Sequence, residues 1–131
     1  MLGAPASFTP TEKRTAMSFL DSDLLARIHE RAADADATNT YPEKDLEELR
    51  EAGYLSAFVP TEFGGAGLSL TEIAAEQTAL AKAAPGTALG INMHQIIVGL
   101  GRYLVAHGNA RGEQILRDAV AGEVFGFGIS E

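Results

Sequence analysis

The sequence predicts an all-α domain, because helical periodicity dominates the chain and only the last few residues have the pattern of a strand. Apolar residues recur three and four positions apart in five segments, and capping residues or glycine and proline stops separate those segments. The chain has 131 residues and a hydrophobic fraction of 46%, which is ordinary for a globular protein. A domain of this size can bury roughly two thirds of its unfolded surface.

The first two helices are predicted in the N-terminal third of the chain. Residues 1–17 have no apolar periodicity, so we expect a flexible tail there, followed by a helix over residues 22–37. A second helix begins near Pro42, since proline suits the first helical position, and stops at Gly53. Residues 54–60 are predicted to form a short extended exit from this helix.

The sequence "SLTE" predicts the start of the third helix. The Ser69 hydroxyl can accept a hydrogen bond from the Glu72 N–H, and the Glu72 carboxylate can accept one from the Ser69 N–H, which together make a capping box. The sequence "APG" at residues 84–86 is expected to end this helix.

The fourth helix, over residues 87–106, is the most apolar stretch of the chain. It is long enough to cross a bilayer, but it contains Asn92, His94, Gln95 and Arg102, which are costly to insert. We therefore expect a buried helix at the centre of a helical bundle and no membrane span.

A change of pattern near the C-terminus predicts the end of the helical domain. A fifth helix is expected over residues 110–121, and Phe125, Phe127 and Ile129 then alternate as in a strand. A lone strand has no partner for its backbone groups. We therefore expect residues 18–123 to form the helical domain and residues 124–131 to be the first strand of a further β-domain, with apolar surface exposed on the bundle beside that strand.

The composition excludes several classes of function. The net charge of −8 opposes binding to nucleic acids, and the chain has no cysteine for disulfides or thiolate metal sites. No two of its three histidines stand at a metal-ligand spacing, so we predict no metal site. The absence of cysteine is compatible with a cytoplasmic protein.

Two features could bind a ligand, although each has a simpler structural interpretation. The loop "VPTEFGGAGLS" at residues 59–69 could bring its backbone close to a phosphate, or it could be a tight turn that requires positive φ angles. His94, with Asn92 and Gln95, could line a polar cavity, or it could be a core histidine with satisfied hydrogen bonds.

The order of the motifs is more specific than any one of them. The run "YPEKDLEELREAGYLSAFVPTEFGGAGLSLTEIAAEQTALAKA", followed by "HGN", "AGE" and a closing "ISE", resembles the N-terminal domain of the acyl-CoA dehydrogenase family. The resemblance extends over residues 20–131, which corresponds to about the first third of a family member.

This resemblance implies an N-terminal helical bundle that precedes a middle β-domain and a C-terminal helical bundle. It further implies FAD as the cofactor, an acyl-CoA thioester as the substrate and a homotetramer as the assembly. In the implied reaction a carboxylate removes the α-proton, flavin N5 accepts the β-hydride, and an electron-transferring flavoprotein reoxidises the flavin.

The resemblance also assigns roles to particular residues. Phe127, Ile129 and Ser130 would contact FAD, although the family often has tyrosine and threonine where this chain has Phe127 and Ser130. Residues of the fourth helix would line the acyl pocket, namely Asn92, Gln95 and Gly99. The catalytic carboxylate would lie in the C-terminal domain, so no catalytic residue is expected in this chain.

Two alternatives remain open at this point. Flavin-dependent monooxygenases share the fold, and some have a histidine on the pocket-lining helix, where His94 would then lie near the flavin. A non-catalytic helical interaction module is the other alternative.

Overall fold

The computed structural model describes residues 18–126, and this part of the chain is all-helical, as predicted. Its helices are α1 (Ser22–Thr38), α2 (Glu43–Glu51), α3 (Leu70–Ala83), α4 (Pro85–Ala106) and α5 (Arg111–Val120). Two single 3₁₀ turns, Tyr54–Ser56 and Thr61–Phe63, lie between α2 and α3.

Side-chain caps and a proline define the helix ends. The Asp21 side chain accepts a hydrogen bond from the Leu24 N–H at 2.8 Å, which caps α1. The capping box of α3 is present, with 3.2 Å from the Glu72 N–H to the Ser69 hydroxyl and 3.1 Å for the reciprocal bond. Pro85 is the first residue of α4, so the "APG" sequence both ends one helix and begins the next.

Helix α4 is central to the bundle and packs against all four other helices. Its closest approach is to α5, where a side chain at Gly112 would lie 2.4 Å from the Gly101 carbonyl oxygen. These two glycines therefore permit the helix crossing. The core around α4 contains side chains with no exposed surface from every helix, including Ile28, Leu49, Leu80, Val98 and Leu116.

One side of α4 is not covered by the bundle. Leu89, Ile96, Leu100 and Tyr103 are between 46% and 76% exposed, and their spacing places them along one stripe of the helix. None of the helices in residues 18–126 has the length and hydropathy needed to span a bilayer.

The predicted extended exit after α2 is wrong. Residues Tyr54–Ser56 form a 3₁₀ turn, and Tyr54, Leu55, Ala57 and Val59 are buried. Gly53, in the left-handed region at φ 82°, turns the chain into the core. An extended segment here would have buried backbone groups without a neighbouring strand, whereas the turn pairs the Ser56 N–H with the Gly53 carbonyl at 3.3 Å.

The expectations for the two ends of the chain, a flexible tail and a strand, remain untested. The proposed tail at residues 1–17 lies outside the described residues. Of the proposed strand at residues 124–131, the described residues 124–126 have no regular secondary structure, and the rest lies outside the described part. Phe127, Ile129 and Ser130 are among those undescribed positions.

Candidate functional site

The glycine loop at residues 59–69 folds back on the segment that precedes it. The N–H groups of residues 65–68 donate to the carbonyl oxygens of Pro60, Ser56, Val59 and Ala57, respectively, at distances of 2.9–3.2 Å. These consecutive donors are all used within the chain. Since a phosphate site needs free N–H groups, this loop is not a phosphate cradle.

Gly65 is the position that requires glycine most strictly. A Cβ atom there would lie 2.2 Å from the Val59 carbonyl oxygen and 2.6 Å from that of Ser56. Gly64 and Gly67 favour glycine for a different reason, because their φ angles are positive, at 93° and 72°. The loop backbone therefore packs closely against the chain's own backbone at residues 56–59.

Arg102 of α4 fixes both ends of this loop. Its Nη1 donates to the carbonyl oxygen of Phe58 at 2.9 Å and to that of Leu68 at 2.6 Å. Its guanidinium also lies 4.5 Å from the centre of the Phe58 ring. Arg102 is therefore a structural residue of the loop. From the sequence alone, Arg102 indicated only that insertion of this helix into a membrane would be costly.

His94 is fully buried, and backbone groups engage both of its ring nitrogens. Nε2 lies 2.7 Å from the Leu55 carbonyl oxygen, and the Phe125 N–H donates to Nδ1 at 3.3 Å. The neutral tautomer with its proton on Nε2 satisfies both bonds. Burial lowers the pKa of His94, and the bond to Leu55 offsets part of that effect.

Gln95 has one satisfied and one unsatisfied end. It is 5% exposed, and its Nε2 donates to the Tyr54 carbonyl oxygen at 3.2 Å. Within residues 18–126, its Oε1 is a buried acceptor without a hydrogen-bond partner. Such a group is costly unless a ligand or water provides a donor.

Asn92 lies three residues before Gln95, and Gly99 lies four residues after it. The three residues therefore share one face of α4. Asn92 is half-buried at a groove of about 360 Å³ between α3 and α4 that Gln77, Thr78 and Leu89 also line. At Gly99 the structure shows no open space for a substrate chain, since an added Cβ would lie 3.1 Å from the Phe58 ring. The glycine instead makes room for that ring.

The structure therefore divides the four predicted pocket residues into two groups. Asn92, Gln95 and Gly99 share one face of α4, whereas the His94 ring is held by Leu55 and Phe125. The histidine has the satisfied core environment that the sequence left open as one of two interpretations. The unpaired oxygen of Gln95 is the polar atom of this set that still requires a donor.

Two buried carboxylates were missed by sequence reasoning, because acidic residues on helices are usually solvated. Asp45 is 2% exposed and accepts hydrogen bonds from Arg31 Nε at 2.7 Å and from the Thr87 hydroxyl at 2.6 Å. Glu76 is 7% exposed and accepts one from the Leu20 N–H at 3.2 Å. Their place on the apolar face of their helices was the available signal.

The described residues offer no metal centre, and their glycine loop offers no free donors for a phosphate. No group of three or more His, Asp or Glu side chains in residues 18–126 could hold a metal ion, and the chain has no cysteine. The donors of the glycine loop are paired internally, so they cannot bind the diphosphate of FAD. The flavin contacts expected from the sequence, Phe127, Ile129 and Ser130, lie outside the described residues.

The chain is similar to known proteins over most of its length. The family profile described as "Acyl-CoA dehydrogenase, N-terminal domain" matches residues 13–123. The L-evernosamine nitrososynthase of a Micromonospora species is 36% identical over 124 residues, which are 90% of this chain and 29% of that protein. YdbM of Bacillus subtilis, whose name assigns it provisionally to the acyl-CoA dehydrogenases, is 33% identical over 72 residues, which are 55% of this chain and 19% of that protein.

A solved structure has the same fold. The X-ray structure of KijD3 in complex with dTDP matches with a TM-score of 0.73 and 36% identity, over 87% of this chain and 30% of that one. The chain thus spans less than a third of the length of each of these relatives.

Proposed function

Because the chain belongs to the acyl-CoA dehydrogenase family, we propose that it is the N-terminal helical part of an FAD-dependent enzyme that α,β-dehydrogenates an acyl-CoA thioester. The observation that supports this proposal is the match of the family profile to residues 13–123, together with the all-helical fold. The similarity to YdbM points in the same direction.

Helix α4 provides the substrate-facing groups in this proposal. Asn92 contributes an amide at the groove beside α3, and Gln95 contributes an acceptor oxygen that has no partner within the described chain. This oxygen is buried, so a substrate N–H or O–H group would have to enter the bundle beside α4 to pair with it. Phe58 closes the space at Gly99, so it would limit how far an acyl chain can extend along α4.

The flavin contacts are proposed for residues beyond the described bundle. FAD, when bound, accepts the hydride that leaves the β-carbon. Ser130 has a hydroxyl that can donate a hydrogen bond to a flavin acceptor, and the backbone at Ile129 offers a further donor. Phe127 can only stack, because it lacks a polar atom. We propose no general base in this chain.

A second candidate function is supported by the extent of similarity. The nitrososynthase matches 90% of this chain, whereas YdbM matches 55%. Flavin-dependent oxygenation of an amine, such as an amino sugar, is therefore the alternative reaction. It does not gain support from His94, since both ring nitrogens of that residue are engaged by backbone groups.

The proposed partners follow from the dehydrogenase hypothesis, and the proposed cytoplasmic location from the absence of cysteine. An electron-transferring flavoprotein would reoxidise the flavin, the enzyme would be a homotetramer, and it would act in the cytoplasm. We further propose that the 131-residue chain by itself does not bind FAD tightly, because it spans less than a third of the length of each relative that it matches.

The two reactions are separated by their need for oxygen. The native protein that carries this chain is mixed with acyl-CoA thioesters under anaerobic conditions, and the visible absorption of its flavin is recorded. Rapid loss of flavin colour supports dehydrogenation. No loss with any acyl-CoA, combined with oxygen-dependent oxidation of an amino sugar by the reduced flavoprotein, contradicts dehydrogenation and supports the alternative.

A further inference from the structure

The chain leaves α5 by a sharp turn that returns it to α4. Gly122 has a φ of 99°, and the Glu123 N–H donates to the Asp118 carbonyl oxygen at 3.0 Å. Three residues after Gly122, Phe125 meets His94 at the middle of α4. The segment between them has little other anchorage, since Glu123 and Val124 are exposed.

Two independent contacts hold Phe125 in this place. Its N–H donates to Nδ1 of His94 at 3.3 Å, and its ring stacks on the imidazole with 5.5 Å between ring centres and 12° between planes. The other nitrogen of the same imidazole is bound to the Leu55 carbonyl oxygen at 2.7 Å. His94 thereby links the buried turn after α2 to the point where the chain leaves the bundle.

We propose that His94 is a positioning residue, which fixes the point at Phe125 where the chain leaves the helical bundle. The functional importance of that placement rests on the proposed function, because Phe127, Ile129 and Ser130 are the proposed flavin contacts. Phe127 is only two residues beyond the bond to His94.

Two conservative substitutions of His94 separate its hydrogen bond to Leu55 from its hydrogen bond with Phe125. In His94→Asn, the side-chain oxygen occupies about the place of Nδ1, so the bond from Phe125 is kept and the bond to Leu55 is lost. In His94→Gln, the side-chain amide reaches about as far as Nε2, so the bond to Leu55 is kept and the bond from Phe125 is lost. Both variants lose the aromatic stack, which makes them a matched pair.

The test is amide hydrogen exchange at Phe125 in the 131-residue chain, measured by NMR for the wild type and both variants. We expect exchange at Phe125 to be about tenfold faster in His94→Gln than in His94→Asn, as the loss of one hydrogen bond allows. Leu116, buried in α5, is the control position and should exchange equally in both folded variants. Equal exchange at Phe125 in the two variants would overturn the proposal.

A wild-type measurement covers the case in which the variants do not fold. The nitrogen shifts of the His94 ring should show a neutral imidazole with its proton on Nε2, and the Phe125 amide should be protected. A proton on Nδ1, or an unprotected Phe125 amide, would contradict the proposed link. These measurements involve no flavin, so failure of the proposed function would leave their result unchanged.

Discussion

Substitution of Gly65 by alanine tests the packing of the glycine loop most severely. The added methyl group would lie 2.2 Å from the Val59 carbonyl oxygen, 2.4 Å from the Val59 Cβ and 2.6 Å from the Ser56 carbonyl oxygen. Ordinary contacts between such atoms are about 3.5 Å, so the loop must move by about 1 Å. All three contacts are to the backbone or its first side-chain atom, so no side chain can rotate away to relieve them.

That movement would weaken the bonds that the N–H groups of residues 65–68 make to residues 56–60. Overpacking costs about 1–3 kcal/mol, and each lost hydrogen bond adds about 1 kcal/mol. We expect Gly65→Ala to lower the free energy of unfolding by about 3 kcal/mol, which shifts the urea midpoint by about 2 M for a chain of this size. The assay is urea unfolding followed by far-UV circular dichroism, since the chain has no tryptophan.

Gly90→Ala is the matched control. Gly90 lies in α4 with nothing within 4 Å of an added Cβ, so alanine should raise the stability by about 0.5–1 kcal/mol through helix propensity. The reasoning would be refuted if Gly65→Ala were as stable as the wild type.

Three further predictions concern polar groups in the bundle. Arg102→Met should lower the stability by about 2 kcal/mol, because the Phe58 and Leu68 carbonyl oxygens lose a charged donor. The exposed Arg117→Met is its control, and equal urea midpoints for the two variants would contradict this role. Asp45→Asn should cost about 2 kcal/mol, because the buried carboxylate that binds Arg31 and Thr87 is neutralised. The exposed Glu47→Gln should leave the urea midpoint unchanged, and an unchanged midpoint for Asp45→Asn would disprove the prediction. Stability should also decrease as pH falls below about 6.5, because burial lowers the pKa of His94 and the unfolded chain then takes up a proton that the folded chain does not. As the pH falls below about 6.5, urea midpoints should decrease less steeply for His94→Asn than for the wild type. Identical slopes for the two proteins would contradict the assignment of this pH dependence to His94.

The helices were predictable because their signals are local. The capping box at Ser69 and Glu72 and the apolar periodicity depend only on neighbouring residues, and both are seen in the structure. The sequence "APG" was expected only to end the third helix, whereas Pro85 also begins α4. The family resemblance added the order of the elements. Residues 54–60 were predicted wrongly, because their burial depends on the left-handed turn at Gly53 and on packing against distant helices.

The environment of the polar residues was not predictable in the same way. The partners of His94 are 39 and 31 residues away in the sequence, and those of Arg102 are 44 and 34 residues away. No spacing rule connects such positions. The sequence identified Gln95 as a polar group in an apolar helix, but only the structure shows that one of its ends is satisfied and the other is not.

Photolabelling of the native protein with an azido derivative of FAD, followed by mass-spectrometric mapping of the labelled peptides, tests the central claim most directly. We expect the label within this chain to fall on the peptide containing Phe127, Ile129 and Ser130, with no label on the glycine loop. Label on residues 59–69, or no label on this chain while the protein retains its flavin, would contradict it.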